Sequence, residues 1–223
     1  MRVKKWVHAG LRCTAVASAS LEQGDARLLA GLDRDFAAVA ALAGAELVCA
    51  PGCSECCHGP FPVTRLDVWR LRRGLRELER REPSRAARLR ERARRAVEIL
   101  NDGYPGDRQS GKLVADGAAL DAFFERHGAL PCPALDPSTD RCELYTWRPV
   151  ACRTYGPPLR FGDEAAPPCR LCFRQAGPAL TERCRMEPDE AGREESLLRR
   201  LGVEPGAEWE TLIAFVVARR VLR

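Results

Sequence analysis

The sequence predicts a mostly α-helical protein, a small helical bundle carrying irregular cysteine-rich loops that a metal site pins in place. Two observations carry this prediction. Apolar residues recur at three- and four-residue spacing over several long stretches, and no alternation of strands and helices is visible. The eleven cysteines fall almost entirely in two segments broken by proline and glycine, where neither a helix nor a strand interior can persist.

At 223 residues, with 45% hydrophobic and 30% charged residues, the chain is long enough to bury a core and reads as one globular unit. The net charge of +5 is mild, and arginine supplies nearly all of the positive charge, lysine occurring only at Lys4, Lys5 and Lys112. No apolar run reaches the length of a membrane span. Residues 1–19 are expected to be a flexible arm. Lys4, Lys5 and the small residues 15–19 imitate an export signal, but His8, Gly10 and Arg12 break the apolar segment such a signal needs. An odd cysteine count without an export signal points to thiols in a reducing, cytoplasmic setting, and residues 20–223 are expected to form a single cysteine-cluster metal-binding domain.

Taken in order, Ser20 and Gln23 read as a capping box that opens a helix or two over 21–47, with Leu28, Leu29, Leu32, Phe36, Val39, Leu42 and Leu47 as the apolar stripe. Thr64 and Asp67 form a second capping signature, opening a helix with Leu66, Trp69, Leu71, Leu75 and Leu78. Pro83 stops it and starts another, whose Ala86, Leu89, Ala93, Ala96 and Leu100 make a narrow seam suited to an antiparallel hairpin. The hairpin is rich in arginine, yet glutamates are interleaved and no aromatic platform accompanies them, so the pattern fits solvated, internally paired faces and argues against a nucleic-acid surface. Shorter helices are expected over 118–126, 193–201 and 209–222.

The chemistry lies in the thiols. Cys49, Cys53, Cys56 and Cys57 share one turn-rich loop with His58, and Cys132, Cys142, Cys152, Cys169 and Cys172 follow in a second irregular stretch of roughly forty residues, a length that is unusual unless something holds it. All nine are expected metal ligands. Cys169-x2-Cys172 is a good local chelating pair, whereas Cys13 is isolated. With only three histidines, no HExxH and no histidine-framed carboxylate pair, a hydrolytic zinc site is disfavoured; a nearly all-thiolate donor set suits an iron–sulfur cluster, of 4Fe-4S type, ahead of Zn2+. The Cys49-x3-Cys53-x2-Cys56 spacing also occurs in radical-SAM enzymes, but the β/α alternation those enzymes need is missing. Tyr145, Arg148 and Arg153 are the expected cofactor-contacting residues. The two guanidiniums can offset the charge of a thiolate-bound cluster, or can pair with carboxylates such as Asp136 or Glu143.

The Cys56-Cys57 pair followed by Gly59-Pro60, the run Cys132-Pro-Ala-Leu135-Asp136, then Cys142-x-Leu144-Tyr145-x-x-Arg148-Pro149 and Cys152-Arg153-x-Tyr155-Gly156 form an ordered set. Over roughly residues 47–175 it resembles the YkgJ-type cysteine-cluster family of zinc- or iron-chelating "CxxCxxCC" proteins, departing from the name pattern in the three residues between Cys49 and Cys53. The resemblance implies metal binding by these cysteines, with no assigned reaction. A related cysteine domain resembles part of the flagellin lysine methylases, which makes a cluster-dependent protein-modifying enzyme one alternative. A structural zinc module whose arginine hairpin meets an acidic partner is the other.

Overall fold

Helix α1 spans Val7–Ala43 and delivers the chain, through a single 3-10 turn at Gly44–Glu46, into the first cysteine loop. The computed structural model describes residues 7–113, 117–189, 192–203 and 210–219, with residues 7–18 described by their backbone alone. Ser20 therefore lies inside α1 and not at its start. Alanines 15, 17 and 19 carry the helix past it at little cost, and the Ser20 hydroxyl accepts from Arg200 Nη1 at 3.0 Å instead of capping.

The second capping signature holds. In α2, Arg65–Arg81, Asp67 N donates to Thr64 Oγ1 and Thr64 N donates to Asp67 Oδ2, each at 3.3 Å. Only Glu82 separates α2 from α3, Pro83–Leu100, so the two helices fold back as a hairpin. Leu71, Leu75 and Leu78 meet Ala86, Leu89 and Ala93 in the main apolar core, where the small alanines let the axes approach. A short helix, Ile213–Ala218, closes this core with Ile213, Val216 and Val217. It is shorter than the predicted 209–222, of which residues 209 and 220–222 lie outside the described residues.

Among the described residues the other α-helices beyond α3 are short as well, and in chain order Ile213–Ala218 is α8. Helix α4, Gly117–Arg126, packs Phe123 edge-on against Tyr104 at 5.7 Å, and Tyr104 in turn meets Phe215 at 4.7 Å. Helix α5 is Val150–Thr154, α6 is Pro178–Arg183 and α7 is Arg193–Arg200. Leu21, Leu28 and Leu32 of α1 share a further core with Leu197 of α7 and Val150 of α5. Among the described residues, three antiparallel two-stranded hairpins stiffen the loops: β1 (Gly106–Asp107) with β2 (Lys112–Leu113), β3 (Leu135–Asp136) with β4 (Arg141–Cys142), and β5 (Leu159–Phe161) with β6 (Glu164–Ala166). The fold is mostly α, and no helix of the described residues is long and apolar enough to cross a membrane.

Much of the hairpin's arginine charge is spent on internal pairs. Arg90 meets Glu79, Arg81 meets Glu77, and Arg73 meets Glu22 of α1. Arg85 and Arg92 both grip Glu143, whose side chain is only 3% exposed, and so tie α3 to the strand that carries Cys142. At Gly74 the α2 backbone runs directly beneath Trp147, where a Cβ would fall 2.4 Å from Cδ1 and Cγ of the indole. Gly74→Ala is expected to destabilise the protein by about 1–3 kcal/mol through this overlap, outweighing the gain in helix propensity of about 1 kcal/mol. Urea unfolding with an unchanged or raised midpoint would contradict the packing.

Candidate metal centre

The first cysteine loop is shaped by turns. Cys53 N donates to Ala50 O at 3.0 Å, Gly52 adopts a left-handed φ of 96°, and a 3-10 turn over Glu55–Cys57 is closed by Cys57 N to Ser54 O at 2.8 Å. The second segment is stitched to it by backbone bonds, Cys132 N to Cys57 O at 2.7 Å and Gly59 N to Leu130 O at 2.9 Å. The β3–β4 register pairs Leu135 with Cys142, and Leu135 N bonds Cys132 O at 3.0 Å, which brings these two thiol-bearing positions together. Cys152 rides on α5, whose first amide, Val150 N, donates to Asp67 Oδ1 at 3.1 Å.

The last pair closes the other side. Cys172 N bonds Cys169 O at 2.8 Å in a tight turn, Cys169 N reaches Gly156 O at 3.0 Å, and Phe173 N reaches Glu46 O at 2.7 Å. Arg170 forms a two-pronged pair with Glu55, one limb being Nη2 to Oε2 at 2.8 Å, and so joins this turn to the first loop. Gly156 is required here: its φ is 133°, and a Cβ would lie 2.8 Å from Cys49 Sγ.

Together these contacts bring all nine predicted cysteines, Cys49, Cys53, Cys56, Cys57, Cys132, Cys142, Cys152, Cys169 and Cys172, to the wall of a single cavity of about 610 Å3. Every cysteine whose side chain is described is a free thiol. Among the described residues no three candidate side chains are already drawn into metal-bonding geometry. Cys184 packs in the apolar core beside Cys169 and Cys172 and does not line the cavity. His58 bonds Ser54 O through Nδ1 at 3.0 Å and is not on the wall either, which leaves sulfur as the dominant donor.

The thiols differ in acidity for physical reasons. Cys56 is drawn down to about 7, first by the hydrogen bond from the Cys57 thiol and then, against burial, by the charge of Arg148. The same bond, with burial, pushes Cys57 far up. Burial raises Cys152 and Cys142, lifts Cys132 to about 12, and lifts Cys49 to about 12 with help from Cys172. Cys56 is thus the readiest thiolate of its neighbourhood.

Arg148 stacks over the Tyr145 ring at 3.6 Å and donates through Nε to Tyr145 O at 3.0 Å. Among the described residues it has no carboxylate partner, and both Asp136 and Glu143 are engaged elsewhere. Tyr145 itself is 60% exposed at the rim. Arg153 is held more fully, by Asp33 at 3.0 Å and by the Thr146 carbonyl at 2.6 Å, so its guanidinium braces α5 against α1.

Free thiols converging on one cavity from separate chain segments, with a guanidinium beside them, fit soft or borderline metals, and they define a metal-chelating cysteine-cluster protein. The family model CxxCxxCC, described as a "putative zinc- or iron-chelating domain", matches residues 48–172, and the chain belongs to this family. No curated protein and no solved structure matches the chain.

Several residues that shape the site were not singled out by the sequence. Asp25 occupies the apolar register of α1 at Leu21, Leu28 and Leu32, and that placement of a carboxylate was the available signal for the buried partner of Arg70. Asp67 was legible as a capping residue but not as the acceptor for Val150 N, 83 positions away. Glu55 and Arg170 carry no local signal at all.

Proposed function

We propose that the chain is an iron–sulfur protein of a reducing, cytoplasmic compartment, its cluster ligated by cysteines of the thiol-lined cavity. The observation that carries this reading is the convergence of nine free thiols on one cavity beside a guanidinium that has no carboxylate partner among the described residues. A cluster, of 4Fe-4S type, would supply one-electron chemistry when bound. Cys56 gives up its proton most readily and so provides the first thiolate, Cys57 donates to it, Arg148 offsets negative charge at sulfur, Tyr145 supports Arg148, and Arg153 steadies the helix that carries Cys152. Purified without oxygen, the protein is expected to be brown, with iron and acid-labile sulfide in equal amounts. A colourless protein holding zinc alone would overturn this.

Arg148 offers a finer test. A positive charge beside a cluster favours its more negative, reduced form, so Arg148→Leu is expected to lower the reduction potential in an anaerobic redox titration. An unchanged or higher potential would remove Arg148 from the site.

A second reading, a cluster-dependent protein-modifying enzyme, is favoured by the cavity's volume of about 610 Å3, which lies within the range of small-molecule sites. Under it, an added small ligand should shift the electronic spectrum of the metal. A spectrum indifferent to such ligands would argue for a fully thiolate-saturated centre.

A further inference from the structure

The nine thiols are not evenly distributed around the cavity. Cys169 and Cys172 are buried in an apolar core with Ala43, Leu47 and Phe173, on the side of the molecule built by the end of α1. Cys132 and Cys142 pack instead against the α2–α3–α8 core, with Leu71, Leu144 and Ile213. Cys49 belongs to the first side: its Sγ lies 3.9 Å from Cys172 Sγ and 3.8 Å from Tyr155 O. The bare Cα of Gly156 gives that sulfur room.

Cys53 goes with Cys49, because Cys53 N bonds Ala50 O at 3.0 Å and folds the two positions onto one turn. By the core or turn on which each rests, the thiols of the cavity wall fall into a set of four, Cys49, Cys53, Cys169 and Cys172, and a set of five. The four come from two short-spaced pairs, Cys49-x3-Cys53 and Cys169-x2-Cys172, each on a tight turn. Two such pairs supply a closed tetrahedral cage, the arrangement of structural zinc sites. The five come from the Cys56-Cys57 turn, the 132 and 142 positions and α5, with Arg148 alongside.

We propose that the chain holds two metal centres: a structural Zn2+ bound by Cys49, Cys53, Cys169 and Cys172, and a separate centre served by Cys56, Cys57, Cys132, Cys142 and Cys152. The second rests on the iron–sulfur reading above; the first does not. On binding, each ligating thiol releases its proton to solvent and the sulfur lone pair forms the metal bond, with no redox change at zinc. The zinc clips the 169–172 turn to the first cysteine loop across more than a hundred residues of sequence, where the Glu55–Arg170 pair already makes a polar contact. It is a closed, structural centre, leaving any redox work to the five-thiol side.

The test is metal analysis of the full-length chain and of variants, purified without oxygen. Wild type is expected to contain one zinc per chain together with iron and sulfide. Cys53→Ser, at an exposed position whose substitution disturbs no packing, and Cys172→Ser are expected to lose the zinc and keep the iron. Cys56→Ser and Cys152→Ser are expected to lose the iron and keep the zinc. Far-ultraviolet circular dichroism of the exposed-site variant checks that the chain is folded. Loss of all metal in both groups of variants would mean one shared centre and overturn the partition. Iron without zinc in wild type would overturn the zinc centre while leaving the iron–sulfur reading intact. Zinc without iron would do the reverse.

Discussion

Arg70→Met is expected to lower unfolding free energy by about 3–5 kcal/mol, because it strips the partner from two buried carboxylates. Arg70 is 0% exposed. Its Nε donates to Asp25 Oδ1 at 2.7 Å, its Nη1 donates to Asp67 Oδ1 at 2.6 Å, and its Nη2 lies 2.6 Å from Asp25 Oδ1. Asp25 shows how finely this is balanced: burial raises its carboxyl even with the guanidinium in place. Asp67 does more than pair, since it caps α2 through Thr64 and accepts the Val150 amide that opens the Cys152 helix. Losing Arg70 should therefore disturb the site as well as the bundle, and metal content should fall alongside the denaturation midpoint. Removing the charges together, as in Arg70→Met with Asp25→Leu and Asp67→Asn, is expected to recover much of the loss, because a buried ion triad is stabilising mainly relative to its own broken form. An Arg70→Met protein within about 1 kcal/mol of wild type by urea unfolding would show that the triad is not desolvated as described.

The triad also explains what sequence reading reaches in this chain. The α2–α3 hairpin was legible because its signals are local: Thr64 and Asp67 three apart, Pro83 at a helix start, and a seam of Ala86, Leu89, Ala93, Ala96 and Leu100 that is buried at every position. The thiols were legible as a set because density alone distinguishes them. What local patterns could not carry was long-range placement. Arg70 looked like one more member of a charged face, although it sits four residues after Leu66 and one before Leu71, on the buried side. The three hairpins have strands of two or three residues, too short for any alternation to register. Leu42 fits the apolar spacing of α1 yet is 40% exposed, because the face that packs there is the one carrying Val39, Ala40 and Ala43. The division of thiols into four and five depends on which core each loop rests against, and spacing does not encode that.

The same polar nucleus gives the chain a pH dependence centred on Glu194. Its Oε1 accepts from Thr64 Oγ1 at 3.1 Å in the first turn of α7, close to Asp67. Burial first, then the charge of Asp67, pushes its carboxyl up to about 7, against the pull of Arg70 and of the Thr64 hydroxyl. The folded state then holds this proton more tightly than the unfolded chain does. Below the ordinary carboxyl value both states are protonated and stability is unaffected by the group; as pH rises through about 4.5 to 7 the unfolded chain ionises first, and stability falls. Above that window the full penalty stands, up to about 3 kcal/mol from the size of the shift. Glu194→Gln removes the ionisation and keeps an oxygen for Thr64. It is expected to match wild type near pH 4 and to exceed it in urea unfolding at pH 8, flattening the profile between. A glutamine variant less stable than wild type at pH 8 would mean that the ionised carboxylate is a net partner of Arg70 and not a cost. The two sites must then couple: with Arg70 gone, one compensating charge is removed from Glu194, so the Arg70→Met profile should shift its fall to higher pH. In the double variant the pH 8 penalty of Arg70→Met should be smaller than in the single one, because an ionisable group that shared the burden is no longer there.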